Sequence, residues 1–346
     1  MWQSDSVSSN RLTIDDLAHR LNLSPAAVSY ALNNRPGVSE HTRIRVQELA
    51  RELGWYPSSS ARALSQSRAG SIGIALSRST EMIGTEPYYM QVIAGVERVL
   101  VEADMSLLFR MVTPQSGQDI EVYKRWAGQR RVDGVILFDE LVDDPRLTLL
   151  EKLGLPTVLQ GRTVDNTAVH SVEVDDEHVA RLIVDTFADL GHRSLLHLTG
   201  PLHLVHELRR REAVVSRAEQ RGLAVEVIEG DYTIEGARAT LSERLRGADM
   251  PTAIACSNDM MSVGSLEAIE DARLSVPDQI SLISWDDSLI CSVSRPKISA
   301  VDRNPLEYGE RTARALLHII AGEDVPEHPV PASELVTRGT TGPVPR

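Results

Sequence analysis

Cysteine is scarce in this chain: Cys256 and Cys291 are its only two. A disulfide framework is thereby excluded, the pair fits a reducing compartment, and each thiol is expected to pack as a small hydrophobe. Long apolar runs are missing as well. None approaches the ~20 residues of a membrane-crossing helix. The opening MWQSDSVSSN is polar and has no apolar signal centre, so it reads as a short disordered arm. A cytoplasmic chain with no membrane partner is expected. Catalytic signatures are absent too: there is no G-x-S-x-G, no Walker loop and no G-x-G-x-x-G. His203 and His206 have a ligand-like separation but no matching thiol or carboxylate set. Asp143-Asp144, Asp175-Asp176 and Asp286-Asp287 are adjacent in sequence, and adjacent side chains rarely point together, so paired-carboxylate catalysis is not indicated. The expectation is a chain that is not an enzyme and carries no cofactor and no metal. No internal tandem repeat is visible.

What is present begins at Leu12. Thr13 can cap a helix, with Asp16 three residues on in a capping-box pattern, and Asp15 and Asp16 place negative charge where the helix dipole favours it. Ile14, Leu17, Ala18 and Leu21 form one helical face. After the turn Asn22-Leu23, Ser24 caps a second helix with Pro25 at its first position, where a missing N–H costs nothing. Ala27, Val28, Ala31 and Leu32 are its buried face, leaving Ser24, Ala26, Ser29, Tyr30 and Asn33 nearer the outside. Ser39 caps a third helix that runs to about Leu53, and Gly54 ends it. The alternative is a generic three-helix core, but a short first turn and a small Ala18 suit two helices crossing closely, as in a helix-turn-helix. In that reading the second helix enters the DNA major groove. Pro25, Ala26 and Tyr30 would set base preference, while Ser24, Ser29, Asn33, Ser39, Thr42 and Arg43 suit phosphates. The following Pro57-Ser-Ser-Ser-Ala-Arg-Ala-Leu64 suits the minor groove. Residues 11–69 hold eight Arg against five Asp or Glu, whereas the whole chain carries −13. The acidity lies in the remainder, which should repel DNA and limit non-specific contact.

A length of 346 residues implies two to three domains. Residues 66–70 read as a linker. Beyond it, strand-like segments at 72–77, 106–112, 134–139, 156–160, 171–174, 194–198, 225–229, 252–256 and 280–284 alternate with helix-like ones at 88–104, 118–130, 145–153, 176–191, 206–221, 234–247, 258–272 and 305–321. This alternation predicts an α/β architecture: a small all-α helix-turn-helix head plus two doubly wound parallel-sheet lobes. Ligands in such sheets sit past the strand C-termini, here in a cleft between lobes.

The head resembles the lactose-repressor (LacI/GalR) family of bacterial transcription regulators. The resemblance rests on T-I-x-D-L-A, S-P-A-A-V-S-x-A-L-N, V-S-x-x-T-R, E-L-G-W-Y-P and A-R-x-L, and it continues to Arg338. It implies a helix-turn-helix domain at 11–57 and a hinge helix and linker at 58–70. It also implies a periplasmic-binding-protein-like effector domain with an N-terminal lobe of 71–172 plus 303–330, a C-terminal lobe of 173–302, and a crossover and tail at 331–346. The hinge would order on the operator, with Ala61 and Arg62 beside the DNA and Leu64 from each of two subunits wedged into the central minor-groove step. Ser58 stands where the family often has Asn. No heptad repeat follows the lobes, so a homodimer on a palindromic double-stranded operator is implied, with a sugar-like effector controlling affinity and repression the expected sense.

The same resemblance singles out cleft residues. Arg210, in Leu208-Arg-Arg-Arg-Glu212, matches the arginine that forks onto ligand hydroxyls or a carboxylate, although three consecutive arginines also read as a solvated face. Asn258 reads as a helix N-cap and, by resemblance, points into the cleft; Asp259 reads as structural. Asp286 matches the first Asp of G-Y/F-D-D, with Ser284 in place of the Gly. Tyr88 and Tyr89 occupy the aromatic pair after Pro87, as core packing or as a stacking surface for a sugar. Ser77 and Arg303 match further cleft positions, and a second cleft arginine points to an acidic or phosphorylated ligand. Arg, Asn and Asp together supply donors and acceptors for several hydroxyls. Two rival readings are a transport-type solute-binding protein of the same two-lobe fold and an enzyme with a regulatory head.

Overall fold

The computed structural model describes residues 12–55, 68–78, 86–114, 116–162, 169–247, 249–326 and 332–344. They fall into two compact units that divide after Ala69. The first unit contains three helices, α1 (Ile14–Leu21), α2 (Pro25–Leu32) and α3 (Glu40–Glu52). Each starts where a side-chain cap is available. Thr13 and Asp16 form a reciprocal capping box, and the Ser24 and Ser39 hydroxyls accept the backbone N–H groups of Ala27 and Thr42. Leu17, Ala18, Val28, Ala31, Val46 and Ala50 form the buried centre. Small Ala18 and Ala31 let the helices approach closely, which is how so short a segment closes a core.

The second unit begins with β1 (Ser71–Ser77), followed by α4 (Pro87–Glu102), β2 (Ser106–Val112), α5 (Gln118–Gly128), β3 (Gly134–Leu137), α6 (Pro145–Lys152), β4 (Thr157–Gln160) and β5 (His170–Val172). These strands form one parallel sheet in the order β2-β1-β3-β4-β5. The chain continues through α7 (Asp176–Asp189), β6 (Ser194–Thr199), α8 (Val205–Arg221), β7 (Ala224–Glu229), α9 (Ile234–Arg244), β8 (Ala253–Cys256), α10 (Asp259–Asp271), β9 (Ser281–Ser284), α11 (Leu289–Val293), β10 (Ser299–Asp302), α12 (Pro305–Ala321) and β11 (Glu334–Val336). The second sheet has the order β11-β10-β9-β8-β6-β7, parallel except for β11 against β10.

Nine strands are where the apolar runs place them. β10, α11 and β11 are additions. Three of the chain's passages position the cleft. α12 follows β10 yet packs on α4 over the first sheet. Contact there is so close that a Cβ on Gly95 would stand 1.9 Å from the Leu306 carbonyl, and one on Gly309 2.0 Å from that of Val92. β11 returns the chain to the second sheet, and the segment after it stays there, the Leu282 N–H donating to the Thr340 carbonyl at 2.8 Å. Between the sheets, the Val142 N–H donates to the His203 carbonyl (3.1 Å) and the Val205 N–H to the Glu140 carbonyl (2.9 Å), a backbone stitch between the two halves. Cys256 and Cys291 are buried free thiols, and burial pushes them up to about 11 and about 12 respectively.

Candidate functional site

In the head, α2 presents Pro25, Ala26 and Tyr30 outward, and Tyr30 is 41% exposed. This ring is not among the residues of the head's buried core and is available to a groove. Ser24 and Ser39 are exposed, each serving as a cap. Thr42 Oγ1 lies 2.8 Å from the Ser39 hydroxyl, and the Asn33 amide folds back to donate to the Ser29 carbonyl at 2.9 Å. Arg43 is more committed than its position in the sequence implies. Its Nε donates to Glu40 (3.2 Å), one terminal nitrogen to Asn34 Oδ1 (3.2 Å) and the other to the Arg35 carbonyl (3.3 Å). It therefore braces the turn that follows α2. Ala61, Arg62 and Leu64 lie outside the described residues, as do the N-terminal arm and most of the hinge.

In the second unit, a cleft between the two sheets collects Tyr88, Tyr89, Arg210, Asn258, Asp286 and Arg303. Each comes from a strand end or a helix start. Asp286 follows β9, and its carbonyl accepts the Ser284 hydroxyl at 2.8 Å, so the serine in place of glycine holds this turn. Arg303 follows β10. Its Nε donates to Asp286 Oδ1 at 2.8 Å, a terminal nitrogen reaches the same oxygen, and its guanidinium lies 4.7 Å from the centre of the Tyr88 ring. Asn258 caps α10 through the Met261 N–H (2.8 Å), while its amide donates to the Tyr232 carbonyl (3.2 Å). It both lines the cleft and starts the helix. Asp259 accepts the Met260 N–H at 2.9 Å and is not among the lining residues.

Arg210 is buried, unlike the solvated face its three-arginine run suggests. It donates to Glu207 at 2.8 Å and to Asp176 at 3.4 Å, and lies 5.1 Å from the Trp285 ring centre. Glu207, fully buried, also accepts from the Gly200 N–H, the Ser257 hydroxyl and the Tyr232 hydroxyl at 2.7–2.8 Å. Burial alone would raise its pKa, but Arg210 and these donors hold it at about 2.

Ser77 is not among the residues lining this cleft. It borders a neighbouring hollow with Arg78, Asp139, His203 and Tyr232.

Several residues that the motifs did not single out complete the cleft. Arg78, directly after β1, donates to the Tyr89 hydroxyl (2.6 Å), pairs with Asp139 (2.9 Å) and faces Glu86 (3.5 Å). The Tyr89 hydroxyl in turn donates to Asp139 at 2.7 Å. Burial would raise the Asp139 carboxyl, yet Arg78 holds it below its ordinary value. Glu86 has no such surplus of positive charge: burial, with Asp139 and Asp286 nearby, lifts it to about 7 against the pull of Arg78. His206 Nε2 lies 2.9 Å from the Tyr232 hydroxyl, and burial lowers its pKa. The strand-end rule would have found Arg78 after β1 and Asp139 after β3. Glu86 and His206 carry no comparable signal. Among the described residues no group of His, Cys, Asp and Glu could hold a metal ion, and no helix is long and apolar enough to cross a membrane.

Chemically, the cleft offers carboxylate acceptors and arginine donors between aromatic walls. Residues 13–58 match the family described as bacterial regulatory proteins, lacI family, and residues 184–341 match a periplasmic binding protein-like domain. The chain is 31% identical to the HTH-type transcriptional regulator AglR of Rhizobium meliloti, over 96% of this chain and 95% of that one. It is 27% identical to the ribose operon repressor of Escherichia coli, over 89% and 93% of the two chains. The fold is similar to that of the transcriptional regulator CelR in its cellobiose complex, with a TM-score of 0.72 at 24% identity, covering 95% of this chain and all of that one. These relatives are named as regulators of transcription, which favours regulation over transport. The chain belongs to the LacI family of bacterial regulatory proteins and is a DNA-binding transcriptional regulator.

Proposed function

We propose that the chain is a homodimeric repressor whose affinity for a palindromic operator is set by a small saccharide held in the cleft between the two sheets. The observation that carries this reading is the convergence of Arg210, Asn258, Asp286 and Arg303 on one aromatic-walled cleft, in a chain whose head is a helix-turn-helix. Carboxylates that only accept and guanidinium groups that only donate satisfy hydroxyls of either polarity. The saccharide class and the repressing sense are supported by the likeness to CelR, seen with cellobiose, and to a ribose operon repressor. In this reading residues 71–172 with 303–330 form one lobe and 173–302 the other. Pro25, Ala26 and Tyr30 read base edges. Ser24, Ser29, Asn33, Ser39, Thr42 and Arg43 lie toward phosphates, and Ala61, Arg62 and Leu64 enter the minor groove.

Ligand that favours one arrangement of the lobes changes operator affinity, and operator must change ligand affinity by the same factor. The test is direct. An operator is selected from randomised DNA with the full chain, and uncharged mono- and disaccharides are titrated into the complex. Release or tightening by one of them is expected. A complex indifferent to all of them, and to mutation of the cleft, would overturn the reading.

A further inference from the structure

We propose that the cleft excludes anions and that its effector is an uncharged saccharide, neither a uronate nor a sugar phosphate. The inference rests on the reading of the cleft as a saccharide site and narrows it. A second cleft arginine would, from sequence, favour an acidic ligand, and the geometry reverses that expectation. The two buried arginines that line the cleft, and Arg78 behind it, are each closed by a carboxylate: Arg210 by Glu207 at 2.8 Å, Arg303 by Asp286, and Arg78 by Asp139 at 2.9 Å. Arg162, at the mouth, faces Glu173 at 3.6 Å, and Arg209 beside it is engaged as well.

An arriving carboxylate or phosphate would have to displace one of these partners, leaving a buried carboxylate uncompensated beside a second negative charge. Replacing one charged partner by another in a desolvated site gains little, whereas leaving one unpaired is costly. The cleft also carries no surplus of positive charge. Asp139, Glu140, Asp176 and Asp286 line it against Arg162, Arg209, Arg210 and Arg303, Glu86 adds a fifth carboxyl lifted to about 7, and the pair Arg78 and Glu207 lies behind them. Burial also lowers the pKa of His206, which disfavours its charged form. A hydroxyl meets no such penalty: it can donate to a lone pair that the ion pair leaves unused, or accept from a guanidinium N–H, without separating the pair. Tyr88 and Tyr89, set edge to face, give the apolar wall that the C–H face of a sugar ring needs.

The experiment compares the full-length wild type with Asp286→Asn, which frees Arg303, and with Asp176→Asn, a milder change that frees part of Arg210. Binding of glucuronate, glucose 6-phosphate and a panel of uncharged mono- and disaccharides including cellobiose is measured calorimetrically at constant ionic strength. The wild type is expected to bind an uncharged saccharide at least tenfold more tightly than either anion. At least one variant, folded by circular dichroism, is expected to gain tenfold or more in affinity for glucuronate. A wild type that binds glucuronate or glucose 6-phosphate as tightly as any uncharged sugar overturns the inference and leaves the saccharide reading intact. Folded variants that gain no anion affinity overturn it too. If no uncharged sugar binds but a variant gains anion affinity, the saccharide reading falls and anion exclusion stands.

Discussion

Arg303 and Asp286 close on each other across the end of the second sheet, two guanidinium nitrogens on one carboxylate oxygen, with the Tyr88 ring beneath the guanidinium at 4.7 Å. The pair joins the end of β10 to the turn after β9, and the ring is carried by α4 of the other half. One ion pair thus touches both halves of the cleft.

Glu207 is expected to be a centre of acid lability. It binds Arg210, Tyr232, Ser257 and the Gly200 N–H, and its folded pKa of about 2 lies below its ordinary 4.5. A carboxyl with a depressed folded pKa contributes stability that is present above about pH 4.5 and is lost as pH falls toward about 2, here roughly 3 kcal/mol. Glu207→Gln should therefore flatten the wild type's loss of stability between pH 5 and pH 3, as read by denaturant unfolding. It should also lower stability at neutral pH by about 3 kcal/mol, because Arg210 loses the nearer of its two carboxylate partners. An unchanged pH profile in the variant would refute the assignment.

Glu86 should behave in the opposite sense. Its folded pKa is lifted to about 7, so the folded state favours the protonated form. Its contribution is fully present below about pH 4.5 and is lost as pH rises through about 7. Glu86→Gln should leave stability nearly unchanged at pH 5 and raise it at pH 8 by up to roughly 3 kcal/mol, with Arg78 still paired to Asp139. Thermal unfolding at the two pH values measures the difference. Equal shifts at both would count against a raised Glu86.

The contrast between these two glutamates marks what was legible in the chain. The caps Thr13, Ser24 and Ser39 act locally, so the head could be read residue by residue. Nine strands were visible as apolar runs. Asp286 and Asn258 were visible as polar residues directly after strands. Glu207 was hidden beside Arg209, Arg210 and Arg211, where a charged run resembles a solvated face. Only the packing of α8 against β6 and Trp285 turns Arg210 inward and takes Glu207 with it. Glu86, Asp139 and His206 come from separate segments, and their environment arises when the two sheets face each other. Short-range pattern carries no record of that meeting. Ser77 shows the converse: a position matched along the chain lines another hollow, not the cleft.

Tyr30 should govern which base pairs the head prefers. It is exposed on α2 with its ring beside Gly37, where an added Cβ would lie 3.2 Å from it. Tyr30→Arg should select a different half-site from randomised DNA, since a guanidinium forks onto guanine and a phenol does not. Removing an exposed ring should change head stability by less than about 0.5 kcal/mol. Selection of the wild-type half-site by the variant would move base reading away from this face of α2.

The cleft and the operator should be separable by mutation. Asp286→Ala and Arg210→Ala each remove one side of an ion pair that lines the cleft, and neither residue belongs to the DNA-reading unit. A ligand hydroxyl that loses such a partner in a desolvated site is left unsatisfied, at a cost of about 1–3 kcal/mol. The concentration of saccharide giving half-maximal change in operator binding should therefore rise by roughly tenfold or more, since each 1.4 kcal/mol is a factor of ten. Operator affinity without saccharide should stay within about threefold of wild type, because these residues reach DNA only through the equilibrium that ligand shifts. Both quantities come from one titration of saccharide into the preformed complex, followed by fluorescence anisotropy of labelled operator. Arg210→Ala also exposes Glu207 to an unpaired environment, so Asp286→Ala is the cleaner of the two, and concordance between them locates the effect in the cleft. Variants that respond at wild-type saccharide concentrations would place the effector site outside it.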